Sequence, residues 1–371
     1  MQQQVDRILQ RSFSFLNLHV VGACTGTDSI EGAFSLHANR SIADLYGSID
    51  AAYILYALGI LLRKTSHVSR QTWAKHILIS QADQGWFTKL NLRGHPREHA
   101  TAYAIAALHL LQIEPDEDYV TQIKPLTALL PLLTDRTAFL RWITRLDFCL
   151  DPRSILKKNL GWHYIWRGSH VGGGIPAVIG MTRHLFEQWW PGQVDVDQWF
   201  AWYFEWLDAH VNPKTGYWQR AFWNLIYRKP TLIDMGGAVH FFWIYEALGR
   251  PFPYPEAVIE STLALQRPNG LYKDHPFCID LDGNFCLIRA YLQLPAEKQA
   301  QYRERVYRSA ERNFEAIVKA LLERPLEEIY SDSHGLPGAL VALVECTKLP
   351  DFKYADALAG WQHPLDKVWW L

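Results

Sequence analysis

Nine acidic or imidazole side chains of this sequence, Asp50, Glu98, His99, His170, Asp234, His240, Asp280, Asp282 and His334, open or interrupt stretches that are otherwise strongly apolar. Glycoside hydrolysis needs two carboxyl groups flanking the scissile bond, one protonated as acid and one ionised as base or nucleophile. Asp234 with Asp280 or Asp282 is the pair this pattern selects, with His240 and His334 as further catalytic groups. An imidazole beside such a pair carries protons or hydrogen-bonds the substrate. Asp50, Glu98, His99 and His170 are then substrate-binding groups. The segment 161–174 adds Trp166 and Arg167 beside closely spaced glycines, where backbone can approach a ligand and the guanidinium can grip an anionic group. Trp218 offers a face for stacking on a sugar ring. Against all this stands the helix N-cap, the ordinary job of an Asp at a helix start. Asp280 and Asp282 are two residues apart, so only one of them can be the cap.

The stretches that carry these residues recur six times, near positions 50, 99, 170, 234, 280 and 334. Their separation suits a pair of helices with two loops and is too irregular for a solenoid of identical repeats. Ala51 to Leu62 is apolar throughout, as a helix buried on every side should be. Between Ala296 and Glu323 apolar residues recur at steps of three and four, from Tyr302 and Val306 to Ile317 and Leu321, with charge on the other face. That spacing predicts an outer helix with one wet side, following Pro295. Buried helices alternating with amphipathic ones require two concentric layers. The expectation is an all-α chain, residues 1–371 forming a single (α/α)6 toroid domain of about six helical hairpins, with the polar groups aimed at one central cavity.

Composition narrows the function classes. Lys+Arg number 37 against 38 Asp+Glu, and no basic run stands out, so the electrostatic footprint of nucleic-acid binding is missing. The longest apolar stretch, 51–62, is too short to span a membrane. Five scattered cysteines (Cys24, Cys149, Cys278, Cys286, Cys346) suggest reduced thiols and a cytoplasmic setting. The residues before Cys24 faintly resemble a lipoprotein cleavage box, but Asn17 and His19 spoil its apolar segment. A zinc set drawn from His170, His240, Asp280 and His334 has the right residue types and no supporting ligand spacing. No metal or cofactor is expected.

A second phrase precedes several of the apolar stretches: Gln81 to Phe87 with Gly85 and Trp86, Asn212 to Trp218 with Gly216, and Gln266 to Tyr272 with Gly270. Each reads as a helix end, a turn with Gly available for positive φ, and an apolar anchor. The Gln-x-x-x-Gly-aromatic turn, followed by the helix that opens at Glu98-His99, resembles the repeats of the α/α-toroid proteins. Two branches are similar: terpenoid cyclases with protein prenyltransferase β-subunits, and the six-hairpin glycosidases, including unsaturated glucuronyl hydrolases.

The departures are specific. Asp280-Leu281-Asp282-Gly283 lacks the last Asp of the cyclase acid motif, and Asp116-Glu117-Asp118 is a poor match to an Asp-rich magnesium motif. Cys278-Ile279-Asp280 reverses the prenyltransferase zinc pair. Ser333-His334-Gly335 lacks the Cys of the lanthionine cyclases, another toroid family. Because the six-hairpin glycosidases work as a lone toroid, the resemblance implies first a carbohydrate-active enzyme, a hydrolase or its lyase or epimerase variant. Its substrate would be a small molecule or an oligosaccharide that can contain uronic acid. The alternatives are an isoprenoid-type cyclase or transferase with Asp282 as proton donor, and a non-catalytic glycan- or protein-binding toroid.

Overall fold

Twelve helices of eleven or more residues carry the chain in a computed structural model, which describes residues 1–21, 33–87, 95–147, 162–218 and 229–371, the side chains of 147 and 162–167 excepted. In chain order they are α1 (Gln2–Asn17), α2 (Leu45–Ala57), α3 (His67–Leu78), α4 (Arg97–Leu111), α5 (Arg136–Asp147) and α6 (Trp162–Met181). The second half supplies α7 (Val196–His210), α8 (Leu232–Ala247), α9 (Pro255–Leu265), α10 (Cys278–Leu292), α11 (Ala296–Glu323) and α12 (Gly335–Cys346). Among the described residues there is no strand, only isolated bridges at Val20–Phe34 and Gln81–Phe87. No described helix is long and apolar enough to cross a membrane. The chain is all-α, as expected.

The even-numbered helices hold the core. In α12 every residue is buried, and in α2 all but Tyr56. Such helices need apolar neighbours on all sides. They find them in one another: α2 packs on α4, α4 on α6, α6 on α8, α8 on α10, α10 on α12, and α12 again on α2. The odd-numbered helices are half wet. On α11, Val306, Ala310, Phe314, Ile317 and Leu321 are buried while Arg303, Glu304 and Arg308 stay in water, so its amphipathic period is realised over the expected span. It packs on α10, α12, α9 and α1. Each large apolar side chain removed from water in this core contributes about 1.5–3 kcal/mol.

The repeated Gln-to-aromatic phrase is a physical device. Gln81 Nε2 donates to the carbonyl of Gly85 at 2.7 Å and to that of Lys124, whose own N–H returns to Gln81 Oε1. Gln266 Nε2 likewise donates to the carbonyls of Gly270 and Ser309, and the Ser309 hydroxyl returns to Gln266 Oε1. Gly85 and Gly270 have φ of 85° and 92°, which disfavours a side chain, and a Cβ there would lie 2.5 Å from the carbonyls of Pro125 and Arg312. Each turn thereby fastens the end of one helix to a neighbouring segment.

Two expectations shift. The helix expected through Leu62 ends at Ala57, because Gly59 takes φ of 66° and the N–H groups of Gly59 and Ile60 return to Tyr56 and Leu55, a Schellman closure. Leu62 is consequently exposed. Asp50 and His170, expected at helix starts, lie well inside α2 and α6; α2 is instead capped by Asp44, which accepts from the N–H of Gly47 at 2.8 Å. Cys278, Cys286 and Cys346 are free thiols, while Cys24 and Cys149 lie outside the described residues.

Candidate functional site

A cavity of about 640 Å³ opens where residues from α4, α6, α8, α10 and the start of α12 meet. Its size is that of an ordinary small-molecule pocket. Six histidines, His95, His99, His170, His240, His275 and His334, line it together with Tyr103 and Asp282. Neighbouring rings are in contact: His95 and His99 at 4.3 Å between centroids, His99 and His170 at 4.6 Å, His170 and His240 at 4.7 Å, His95 and His334 at 5.3 Å.

Polar partners orient these rings. Tyr46 Oη lies 3.2 Å from His99 Nδ1, and Ser169 Oγ lies 3.0 Å from His240 Nδ1. His240 also stacks on Trp370. Burial, followed by the charges of neighbouring histidines, pushes the pKa of His99 well below its usual value; burial alone takes His240 down to about 3. Both rings are neutral at physiological pH.

Asp50 is completely buried behind the cavity wall. It accepts hydrogen bonds from Tyr103 Oη at 2.9 Å and Ser333 Oγ at 2.6 Å, and its Oδ1 lies 2.8 Å from His334 Nδ1. A carboxylate on Nδ1 places the imidazole proton there and leaves the Nε2 lone pair to act. His334 is also the N-cap residue of α12, its N–H bound to Asp332.

Asp282, in α10, is 2 % exposed and reaches the cavity, and its Oδ2 has no hydrogen-bond partner among the described residues. Burial first, and the charge of Asp280 second, drive its pKa far above the ordinary carboxylate value. Both effects favour the protonated form, a carboxylic acid with a proton to donate.

Asp234, Asp280, Glu98 and Trp218 make contacts outside the cavity lining. Asp234 forms a reciprocal capping box with Thr231 at the start of α8. Asp280 is the corresponding residue of α10, accepting from the N–H groups of Tyr272 and Phe277 and from Asn313, with its pKa raised by burial to about 6. Neither is among the residues lining the cavity. Glu98 pairs with Arg97, and its carbonyl lies against Gly174. Trp218 is core, its Nε1 donating to the carbonyl of Leu207 and its ring packed on Phe241 and Phe242. The side chains of Trp166 and Arg167 lie outside the described residues. The glycines after them serve packing: a Cβ at Gly173 would sit 2.8 Å from the His240 carbonyl, and one at Gly174 3.0 Å from that of Glu98. They let α8 and α4 press against α6, which brings His99, His170 and His240 within reach of one another.

His95, Tyr103 and Ser333 were not selected from the sequence. The His95-x-x-x-His99 spacing was the available signal for the first of them. The chain matches no known family model, curated protein or solved structure.

Proposed function

We propose that this protein is a carbohydrate-active enzyme built on an (α/α)6 toroid, and that it works by proton transfer in the central cavity. The cyclic packing of the six even-numbered helices, with half-wet helices between them in sequence, supports the toroid reading. The observation that carries the chemistry is the presence, on one cavity, of the neutral carboxylic acid Asp282 and the Asp50-backed imidazole of His334.

The second group is an imidazole and not a second carboxylate. That favours the lyase or epimerase form of the activity over hydrolysis, which in most glycosidases needs two carboxyl groups. On a uronic-acid-containing glycan, His334 Nε2 takes the proton at C5, next to the substrate carboxylate, and Asp282 gives its proton to the departing glycosidic oxygen or to the opposite face of C5. Lys273 in the wall supplies positive charge for the uronate.

Trp243, Tyr103, Phe277 and Tyr330 also give the cavity aromatic faces, so a prenyl diphosphate is the second substrate class that the test must separate. Incubation with uronate oligosaccharides in deuterated water, followed by proton NMR, tests the reading. Loss of the C5 proton signal, by exchange or by elimination, is the expected result. New reducing ends with the C5 proton retained would indicate hydrolysis, and turnover of a prenyl diphosphate alone would indicate the cyclase branch.

A further inference from the structure

We infer that His95, His99 and His170 form a binding site for a divalent cation of the zinc type, with an open coordination position toward the cavity. One candidate ligand nitrogen from each residue lies within 4.8 Å of the other two. Three nitrogens sharing a tetrahedral zinc are about 3.3 Å apart, given Zn–N bonds of 2.0–2.1 Å. Small side-chain rotations close the difference.

The three rings come from two pieces of chain, His95 and His99 four residues apart at the start of α4 and His170 in α6. Convergence of three imidazoles on one point needs a reason, because protonating them would crowd like charges into a buried wall. A cation removes that conflict by drawing on three neutral lone pairs at once. Tyr46 Oη, 3.2 Å from Nδ1 of His99, is an outer partner that can accept the Nδ1 proton, the arrangement in which Nε2 is left for the ion. All three residues line the cavity, so a fourth position is accessible to water or to a substrate oxygen, as in catalytic zinc sites. Three imidazoles select zinc, cobalt, nickel or copper over magnesium or calcium, which prefer oxygen.

The inference does not depend on the substrate, since binding is read without one. The full chain, purified without a histidine tag, is analysed for metal by mass spectrometry. It is then stripped with chelator and titrated with Co(II) while the visible d–d bands are followed. The expected result is about one equivalent of metal per chain and strong visible absorption on cobalt binding. His95→Gln and His170→Gln should each weaken the metal about 100-fold or more, with the far-UV circular dichroism spectrum retained. A surface group, His67, Glu114 and Asp116, also has ligand spacing, and His67→Ala should leave the stoichiometry unchanged. Wild-type protein that retains no metal and binds cobalt no better than His95→Gln would overturn the site, and so would loss of the metal in His67→Ala alone. Neither outcome touches the C5 proton assay, and a failed C5 assay would leave the metal result standing.

Discussion

A buried charge is tolerable only where its partners are close, and two acidic residues of this chain answer that demand in opposite ways. Asp282 has no partner at Oδ2 among the described residues, and burial favours its protonated form. Glu345 is also completely buried, yet Arg289 Nε at 2.7 Å and His363 Nε2 at 2.8 Å overcome the effect of burial and bring its pKa down to about 2. A depressed carboxylate contributes stability above its unfolded value near 4.5 and loses it as pH falls toward 2. Acid unfolding followed by circular dichroism should therefore steepen in that window for wild type and flatten for Glu345→Gln. Arg289→Met, which strands the carboxylate, should cost about 3–5 kcal/mol in urea titrations at neutral pH. The acid role of Asp282 has a contrary sign: activity should be lost as pH rises through its elevated pKa, and a rate that kept increasing with pH would deny it that role.

At the scale of elements, helices were legible wherever one face or all faces were apolar. The span of α11 follows from the three-and-four spacing of Val306, Ala310, Phe314 and Ile317, and α12 from its unbroken apolar run. The roles of the acidic residues were harder to read, because an Asp near a helix start serves equally as cap or as free acid. Thr231 three residues before Asp234 marks a capping box in the sequence itself, whereas Asp280 and Asp282 are told apart only by which neighbours fold against them. His95 precedes its helix, so apart from its four-residue spacing to His99 its place in the histidine cluster depends on where the loop lies. The Gly turns make a sharper prediction. Gly270→Ala forces a side chain into φ of 92° with a Cβ 2.5 Å from the Arg312 carbonyl, and should cost about 1–3 kcal/mol. An unchanged urea midpoint would show that the turn does not fasten α9 to α11.

For the whole molecule, the claim is that helices drawn from the full length of the chain deliver His99, His170, His240, Asp282 and His334 to one chamber, with Asp50 behind its wall. Sequence repetition announced such helices and the expectation of a ring; the packing of α12 on α2 agrees with closure, while which side chains reach the chamber was not legible. The most direct measurement compares uronate turnover and thermal stability in Asp282→Asn and Asp234→Asn. Asp282→Asn should lower kcat by about 100-fold or more, the contribution of a positioned general acid, while Tm holds or rises. Asp234→Asn, which weakens a helix cap, should lower Tm and leave kcat close to wild type. Full activity in Asp282→Asn, or a collapse of kcat in a folded Asp234→Asn protein, would contradict the assignment.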